Sequence, residues 1–467
     1  MSERIHLIGI CGTAMATLAA LLKRRGFDVR GSDQNVYPPM SDFLAGEGIP
    51  IASGYAADHL TDDIDLVVVG NAISRGNPEL ETVLERKLRY CSLPEAIRDH
   101  FLWDARSIVV AGTHGKTTTT SLTGWLLAHG GADPTVLIGG IALNFGEGGS
   151  SYRIGAGRDF VIEGDEYDSA FFDKTAKFLK YLPDVAIINN IEFDHADIYA
   201  DLDAVKLAFA RLVNLVPKNG LLLVGADSPH AAELMPRAVS PVETFGLADG
   251  CTWQARNMTH ADGLTRFEVR RHGQSFSTFA SPLLGEHNVR NALAAIAVGT
   301  FVGIDATRLV EGLRQFRGIK RRLETVGVRR GVSVLDDFAH HPTAVHETLG
   351  ALRTGYPQRR IWAVFEPRSA SSCRRVFQDD FARAFGSADE VVIAGVFRST
   401  LPEPERLSAE QLVTDLVGRG QRARFIPTVE EIVSIVAQEA RDGDVVVLMS
   451  NGGFGGIHGK LLQALER

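Results

Sequence analysis

Short apolar runs alternate with amphipathic stretches along almost the whole chain. The first cycle predicts a strand ending at Gly9, a helix over about 13–25 and a strand over 27–33. The same pattern predicts later strands at 64–70, 107–112, 159–162, 185–188, 332–335 and 444–448. This alternation is typical of parallel sheets whose faces are covered by helices. The sequence therefore predicts an α/β protein.

Two departures from this rhythm predict how the chain is divided. Residues 251–281 alternate apolar and polar positions, which predicts a β-hairpin inserted in an α/β domain. Helices over about 288–303 and 305–316 would close that unit, and the basic cluster Gly318-Ile-Lys-Arg-Arg322 predicts a hinge. Because 467 residues are too many for one ordinary core, we predict three α/β domains at 1–103, 104–320 and 321–467.

Composition argues against several classes of protein. Hydrophobic residues make up 45% and charged residues 23% of the chain, which is ordinary for a soluble globular protein, and the net charge of −8 with no basic tail does not predict nucleic-acid binding. The four cysteines lie far apart and form no CxxC pair, which predicts a reduced protein without a zinc site. The N-terminus lacks a signal-peptide pattern, and no apolar run approaches the roughly 18–20 residues that span a bilayer. We therefore expect a cytoplasmic protein that does not enter membranes.

The sharpest local motif is Gly112-Thr-His-Gly-Lys-Thr-Thr118, which follows a predicted strand and precedes a helical pattern. Backbone N–H groups in such a loop, with a helix N-terminus behind them, bind polyphosphate. Lys116 is placed to reach the β- and γ-phosphates, and the Thr117 hydroxyl to ligate Mg²⁺. Only two residues separate Gly112 from Gly115, where the usual phosphate loop has four. The shortened loop is not typical of motors or GTPases.

The N-terminal turn Gly9-Ile-Cys-Gly-Thr-Ala-Met15, with Asp33 ending the next strand, is similar to a dinucleotide-binding turn followed by an acid for a ribose. The GxGxxG pattern is incomplete, because two residues separate Gly9 from Gly12. By itself the motif fits a tight turn without a ligand about as well as a nucleotide site. A nicotinamide cofactor is not favoured.

Acidic clusters follow two further predicted strands. Glu163-Gly-Asp-Glu-Tyr-Asp168 comes after one and Asn190-Ile-Glu-Phe-Asp-His195 after the other. Parallel strands present their carboxyl-end loops at one edge of a sheet, where the phosphate loop is also expected. Glu163 and His195 are therefore predicted to complete the coordination of Mg²⁺ beside the phosphates.

Three later features leave their roles open. Gly285-Glu-His-Asn-Val-Arg-Asn291 opens an Ala-rich helix in which Asn288 is predicted as a cap, so that His287 and Asn291 remain ambiguous. Leu335-Asp-Asp-Phe-Ala-His-His-Pro342 ends a strand before a helix begun by proline, and one of its polar side chains fits an N-cap. The hinge residues Arg321 and Arg322 fit either a phosphate clamp or surface charges.

Together these motifs resemble the Mur ligase family over essentially the whole chain. The segments GTHGKTT, EGDEYD, NNIEFDH, GEHNVRN, FRGIKRR and DDFAHHP occur in the family's order and approximate spacing. The resemblance implies an N-terminal Rossmann-like domain for a UDP-sugar and a central P-loop ATPase-type sheet with the inserted β-hairpin. It also implies a C-terminal Rossmann-like domain that closes over the amino substrate.

The resemblance extends to site residues. The N-terminal turn is similar to the branch that binds UDP-N-acetylmuramate, which implies UDP-sugar contacts from Gly9, Gly12, Thr13, Met15, Asp33, Asn71 and Ala72. The implied ATP site comprises Gly112, Thr113, His114, Gly115, Lys116, Thr117, Thr118, His287, Asn291, Arg322, Asp337 and His340. Lys116, Glu163 and His195 are the implied catalytic residues, and Thr117, Glu163 and His195 the implied Mg²⁺ ligands.

Further segments of the sequence indicate which amino substrate the resemblance implies. Those at 35–40, 168–174, 365–369 and 449–457 are similar to the branch that adds the tripeptide L-Ala-γ-D-Glu-meso-diaminopimelate, with Arg368, Asn451 and Gly452 as implied peptide contacts. The implied reaction joins this peptide to the lactyl carboxylate of UDP-N-acetylmuramate through an acyl phosphate, with ATP and Mg²⁺. L-Alanine is the alternative amino substrate.

Two alternatives come from other classes of protein. A nicotinamide-dependent oxidoreductase leaves the phosphate loop and the acidic clusters unexplained. A P-loop regulatory ATPase acting on a protein partner does not account for the shortened loop or the UDP-sugar-like first domain.

Overall fold

The computed structural model describes residues 2–38, 40–397 and 401–466. Pro39, within the segment 35–40 that supports the family resemblance, lies outside these ranges. The strands of the described residues form three large sheets and one short two-stranded ribbon. The helices in these ranges are each too short or too polar to span a bilayer.

The first sheet is entirely parallel and has the order β3-β2-β1-β4-β5. This order is that of a mononucleotide-binding Rossmann half, in which ligands bind where the strand order reverses beside the first strand. Its strands are β1 Arg4–Ile8, β2 Asp28–Asp33, β3 Ile51–Ser53, β4 Leu66–Val69 and β5 Tyr90–Ser92. Its helices are α1 Thr13–Arg24, α2 Met40–Gly46, α3 Pro78–Arg86 and α4 Leu93–Ile97. The Asn77 side chain caps α3, whose first residue is Pro78.

The second sheet is mixed, with the order β17-β16-β15-β14-β13-β12-β6-β9-β7-β8. Its strands are β6 Arg106–Ala111, β7 Thr135–Ala142, β8 Ser150–Arg153, β9 Asp159–Glu163, β12 Val185–Ile188, β13 Leu221–Gly225, β14 Val242–Gly246, β15 Trp253–Ala261, β16 Leu264–Arg271 and β17 Gln274–Ser281. The ribbon is β10 Asp168–Ala170 with β11 Asp173–Ala176. The helices are α5 Lys116–His129, α6 Leu202–Val213, α7 Pro229–Ala232, α8 Glu286–Val302 and α9 Ala306–Arg314.

Strands β9, β6 and β12 are parallel neighbours at the centre of this sheet. Their side chains are almost completely buried, as the continuous apolar runs of the sequence predict for strands covered on both faces. The loops that leave their carboxyl ends therefore meet at one edge of the sheet. These are the phosphate loop and the two acidic segments.

Two local expectations need correction. The predicted hairpin is present as β15 and β16, but β17 follows antiparallel, so the three strands extend the main sheet from β14. Asn288 is not the cap of α8: the helix begins earlier, with Gly285 at the N-cap position, and the Asn288 side chain donates to the Leu284 carbonyl. Gly285 has φ of 91°. The expectation that Asn288 caps the helix did not predict a helix start with this backbone conformation.

The third sheet has the order β18-β19-β23-β20-β21-β22, parallel except for β18. Its strands are β18 Glu324–Arg329, β19 Val332–Asp337, β20 Ile361–Phe365, β21 Glu390–Ile393, β22 Ala423–Phe425 and β23 Val445–Met449. Its helices are α10 Pro342–Gly355, α11 Gln378–Ala384, α12 Ala409–Gly418, α13 Val429–Glu439 and α14 Ile457–Leu465. His341 caps α10.

The predicted hinge is anchored to the second sheet. The Lys320 amide donates to the Ile141 carbonyl at 2.9 Å, and the Leu143 amide donates to the Gly318 carbonyl at 3.0 Å. Arg321 and Leu323 then adopt positive φ values of 61° and 50°. The chain thus turns sharply at this point before it enters the third sheet.

Candidate active site

A cavity of about 700 Å³ lies between the second and third sheets. The phosphate loop, β7 and the start of α8 line it on one side. The hinge, the segment after β19 and the first turns of α10 line it on the other. Residues far apart in the chain therefore share one enclosed space, which is the usual setting for a binding site at a domain interface.

The phosphate loop is held by backbone conformations that require glycine. Gly112 has φ of 135° and Gly115, the N-cap of α5, has φ of 78°. A Cβ added at Gly115 would lie 2.5 Å from the Asn291 side-chain oxygen. Asn291 is buried and accepts a hydrogen bond from the Thr119 hydroxyl at 3.0 Å. Asn291 therefore supports the loop from α8.

Lys116 lies in this cavity as part of a buried charge network. Its ammonium donates to Glu166 Oε2 at 2.8 Å and to the Gly112 carbonyl at 2.8 Å. His195 Nε2 lies 3.2 Å from Glu166 Oε1. Burial opposes ionisation of all three groups, but the attraction between Glu166 and the two bases outweighs it. The pKa of Lys116 and of His195 is therefore raised, and the pKa of Glu166 is lowered.

Thr117 and Glu163, two of the predicted Mg²⁺ ligands, contact each other directly. The Thr117 hydroxyl donates to Glu163 Oε1 at 2.9 Å, and the Gly139 amide donates to Glu163 Oε2 at 2.7 Å. Oxygen ligands at 2.0–2.1 Å from an octahedral Mg²⁺ lie about 3.0 Å apart. Burial and the nearby Asp165 raise the pKa of Glu163, which a cation would reverse. These residues therefore fit Mg²⁺, whereas His195 contacts Glu166 instead of Thr117 or Glu163 in this arrangement.

The other predicted ATP-site residues lie around the same cavity. Its lining includes Thr113, His114, Thr118, His287, Asn291, Arg322, Asp337 and His340. An Arg322 guanidinium nitrogen lies 3.3 Å from the Thr117 hydroxyl, so the hinge arginine reaches the phosphate loop across the interface. Burial lowers the pKa of His287 and of His340, which keeps both imidazoles neutral.

The Asp337 carboxylate, which is predicted to contact the ribose of ATP, already accepts hydrogen bonds from the protein. Its carboxylate accepts from the Leu323 amide at 2.7 Å, the Ala339 amide at 2.9 Å and the Thr348 hydroxyl at 3.1 Å. Asp337 therefore fastens the hinge and the loop after β19 to α10. A ribose hydroxyl that contacts Asp337 would share the carboxylate oxygens with these three donors.

The predicted UDP-sugar residues lie at the carboxyl edge of the first sheet. Gly9 follows β1, Gly12 and Thr13 begin α1, Asp33 ends β2, and Asn71 and Ala72 follow β4. Asp33 accepts the Cys11 and Asn35 amides, each at 2.9 Å. It thereby holds the turn together, and Met15 is packed in the core. Asn71 and Ala72 are exposed.

The predicted peptide contacts converge near the end of β23. The Arg368 guanidinium stacks 3.6 Å from the centre of the Phe397 ring and lies 3.7 Å from a Glu366 carboxylate oxygen. A Cβ at Gly452 would lie 2.0 Å from Arg368 Nε, so this glycine makes room for the arginine. Asn451 lines the large cavity.

Three charged residues of the site were not assigned from the sequence. Glu166 holds Lys116, Glu192 lies 3.3 Å from His114 Nε2, and Arg321 donates to the Ser450 and Gly452 carbonyls at 2.6 and 2.7 Å. Each belongs to a motif that the sequence did single out. The motif indicates a charged cluster, but which member turns inward depends on the backbone of each loop.

Comparison with known families gives matches along most of the chain. The profile described as "Mur ligase family, catalytic domain" matches residues 4–102. The "Mur ligase middle domain" matches residues 110–299, and "Mur ligase, glutamate ligase domain" matches residues 321–452.

Full-length relatives and solved structures are also similar. UDP-N-acetylmuramate–L-alanyl-gamma-D-glutamyl-meso-2,6-diaminoheptandioate ligase of Haemophilus influenzae is 42% identical over 99% of both chains. UDP-N-acetylmuramate–L-alanine ligase of Salinibacter ruber is 36% identical over 96% of this chain and 92% of its own. The crystal structure of a murein peptide ligase from Psychrobacter arcticus is 37% identical, with a TM-score of 0.72 over 100% of this chain and 99% of that chain.

Proposed function

The chain belongs to the Mur ligase family, and we propose that it joins the tripeptide L-Ala-γ-D-Glu-meso-diaminopimelate to UDP-N-acetylmuramate at the expense of ATP. The observation that carries the choice of amino substrate is the 42% identity over 99% of both chains to a ligase named for that tripeptide. The L-alanine ligase of Salinibacter ruber is less similar, at 36%.

ATP binding is proposed at the cavity between the second and third sheets. The amides of the phosphate loop and the N-terminus of α5 supply donors for the phosphates. Lys116 and Arg322 add positive charge from opposite sides of the interface. Positioning and charge neutralisation are the main requirements of phosphoryl transfer, and this arrangement supplies both.

Thr117 and Glu163 would hold Mg²⁺, with His195 as the third proposed ligand. When bound, the ion would neutralise charge on the phosphate oxygens. Lys116 and Glu166 neutralise each other in the structure, so phosphate oxygens would replace the carboxylate as the partner of Lys116 when the nucleotide binds.

The lactyl carboxylate of UDP-N-acetylmuramate accepts the γ-phosphoryl group of ATP, and ADP is the leaving group. The free amine of the peptide's L-Ala then attacks the acyl phosphate, inorganic phosphate leaves, and the nitrogen loses a proton as the amide forms. The UDP part is proposed to lie at the carboxyl edge of the first sheet. Burial of the reacting groups between the domains limits hydrolysis of the acyl phosphate. Arg368, with Asn451 and Gly452 beside it, is proposed to receive a peptide carboxylate through a charge-assisted pair.

The alternative amino substrate is L-alanine. It is supported by the structural similarity to UDP-N-acetylmuramate-alanine ligase MurC from Thermotoga maritima, which has a TM-score of 0.79 at 26% identity over 98% of both chains. This similarity is one of backbone arrangement, whereas the choice of amino substrate depends on the side chains that contact it. The 42% identity to the tripeptide ligase therefore favours the tripeptide.

The test is phosphate release from Mg-ATP with UDP-N-acetylmuramate and either the tripeptide or L-alanine, with the product mass measured. Turnover and the ligated mass with the tripeptide alone are expected. Turnover with L-alanine alone would replace the proposal with its alternative. ATP hydrolysis that is independent of UDP-N-acetylmuramate would contradict both. The Lys116→Met variant controls for contaminating ATPase.

A further inference from the structure

A compact group of metal-ligand side chains lies beside the proposed ATP site, where the second and third sheets meet. It consists of His114 from the phosphate loop, Glu192 from the segment after β12, and His341, the cap of α10. One donor atom from each residue lies within 4.8 Å of the others. None of these residues belongs to the proposed Mg²⁺ ligands.

Two of the three distances between donor atoms are close to those of a tetrahedral metal centre. His114 Nε2 lies 3.3 Å from Glu192 Oε2, and His341 Nδ1 lies 3.6 Å from the same oxygen. Ligand atoms at 2.0–2.1 Å from a tetrahedral zinc ion are about 3.3 Å apart. Both imidazoles thus lie against the same Glu192 oxygen, and the three donors are within 4.8 Å of one another.

Neighbouring groups already orient two of the donors. His341 Nε2 lies 3.2 Å from the Phe193 carbonyl. Donation to that carbonyl puts the ring proton on Nε2, so that Nδ1 carries a lone pair, which accepts the Thr343 amide at 3.4 Å as the cap of α10. A metal ion at Nδ1 would replace this hydrogen bond. The Thr343 hydroxyl donates to Glu192 Oε2 at 2.6 Å and fixes the carboxylate. Metal-bound histidines and carboxylates are typically held by such outer contacts.

Charge also favours a cation here. Burial and the nearby His114 lower the pKa of His341, so its imidazole is neutral and able to ligate. Burial opposes ionisation of Glu192, but the hydrogen bond with His114 outweighs it and lowers the pKa of the carboxyl. An incoming ion would displace the proton held between His114 and Glu192, as metal binding to histidine generally does.

We propose that His114, Glu192 and His341 form a binding site for a divalent transition metal of the zinc class. Two imidazoles and one carboxylate suit zinc, whereas Mg²⁺ prefers sites in which most of the ligands are oxygen atoms. A groove of about 460 Å³ opens beside Glu192 and His341.

The sequence predicted no zinc site, because the chain has no CxxC pair and few candidate ligands lie near one another in the sequence. The three donors of this site are dispersed along the chain, and only the fold brings them together. An ion bound by all three would join the phosphate loop to α10 and hold the domains in the arrangement seen here. Zinc is therefore expected to slow a reaction cycle that requires the domains to separate.

The test measures Zn²⁺ binding to the full-length protein in excess Mg²⁺, with a chromogenic chelator as competitor and Co²⁺ absorption as a report of tetrahedral coordination. We expect one Zn²⁺ equivalent for the wild type. Glu192→Gln and His341→Asn are expected to lose at least the roughly 10–100-fold in affinity that loss of an outer-shell partner costs. Asparagine retains a cap for α10.

His346→Ala is the matched control, because His346 is an exposed histidine on α10 beside the same groove. This variant is expected to bind Zn²⁺ as the wild type does. Zn²⁺ should raise the thermal unfolding midpoint of the wild type and of His346→Ala, but not that of Glu192→Gln. Absence of a saturable Zn²⁺ site in the wild type, or unchanged binding in both ligand variants, would overturn the proposal.

Discussion

Lys116 and Glu166 form a buried ion pair, with 2.8 Å between Nζ and Oε2, although they lie 50 positions apart in the chain. The exposed fractions of their side chains are 11% and 3%. A buried charge left without its partner is costly. The pair therefore links the stability of the fold to the residue that we propose contacts the phosphates.

Lys116→Met should separate these two roles. We expect phosphate release to fall by about 10²–10³-fold, as for loss of one transition-state donor, and the free energy of unfolding to fall by about 3–5 kcal/mol because Glu166 loses a partner. The double variant Lys116→Met/Glu166→Gln should regain most of the stability and none of the activity. Urea unfolding and phosphate release measure both, and recovery of activity in the double variant would contradict the role of Lys116.

Glu163→Gln should change the dependence on magnesium. The substitution preserves the shape of the side chain but removes the charge that, with Thr117, is proposed to hold the ion. We expect the Mg²⁺ concentration for half-maximal activity to rise by at least the roughly tenfold seen when metal-site partners are lost. Glu233→Gln, at an exposed carboxylate paired with Lys206, is the control and should match the wild type. An unchanged Mg²⁺ dependence in Glu163→Gln would remove Glu163 from the metal site.

Gly115→Ala and Gly48→Ala compare two glycines with positive φ. Both substitutions force alanine into the left-handed region, at a cost of about 1–2 kcal/mol. Gly48 has open space around it, whereas a Cβ at Gly115 would meet Asn291. We therefore expect Gly115→Ala alone to displace the phosphate loop and to reduce kcat/KM for ATP by about 10²-fold. Similar kinetics in the two variants would show that the loop tolerates the displacement.

Arg368→Met should weaken peptide binding selectively. Loss of a hydrogen bond to a charged group costs about 1.5–3 kcal/mol, so we expect KM for the tripeptide to rise by about one to two orders of magnitude. KM for ATP should stay the same. Arg329→Met, which breaks an exposed pair with Glu466 in the same domain, serves as the control. An unchanged tripeptide KM would return Arg368 to a structural role with Glu366 and Phe397.

His341→Asn should alter how stability depends on pH. Burial and His114 lower the pKa of His341 in the folded state, whereas an unfolded histidine takes up its proton near pH 6.5. Below that pH the unfolded state binds the extra proton, so stability falls by up to about 1.4 kcal/mol per pH unit for this group. Unfolding from about pH 7 to 5 in the presence of EDTA should therefore show a shallower decline for His341→Asn than for the wild type. The exposed His346→Asn should follow the wild type, and equal slopes for all three proteins would refute this assignment.

Much of the local structure was predictable from the pattern of apolar residues. The strand before Gly112, the helix that begins at Pro342 and the strand before Glu163 lie within a residue or two of their predicted positions. Each is set by interactions among neighbours in the chain, such as a Pro-initiated helix or an apolar run buried on both faces of a sheet. The added strand β17 and the early start of α8 escaped prediction, because both depend on packing against distant segments.

By itself, the sequence determined the α/β class, the order of its motifs, the family resemblance and the phosphate loop, because these depend on local periodicity and short contiguous motifs. The tertiary structure alone decided which charged members of those motifs meet. It selected Glu166 as the partner of Lys116 and brought His114, Glu192 and His341 to one point of the domain interface. Such contacts depend on parallel strands ending at a common edge and on the turn at the hinge, and no local pattern in the chain encodes the distances between side chains that these long-range arrangements produce.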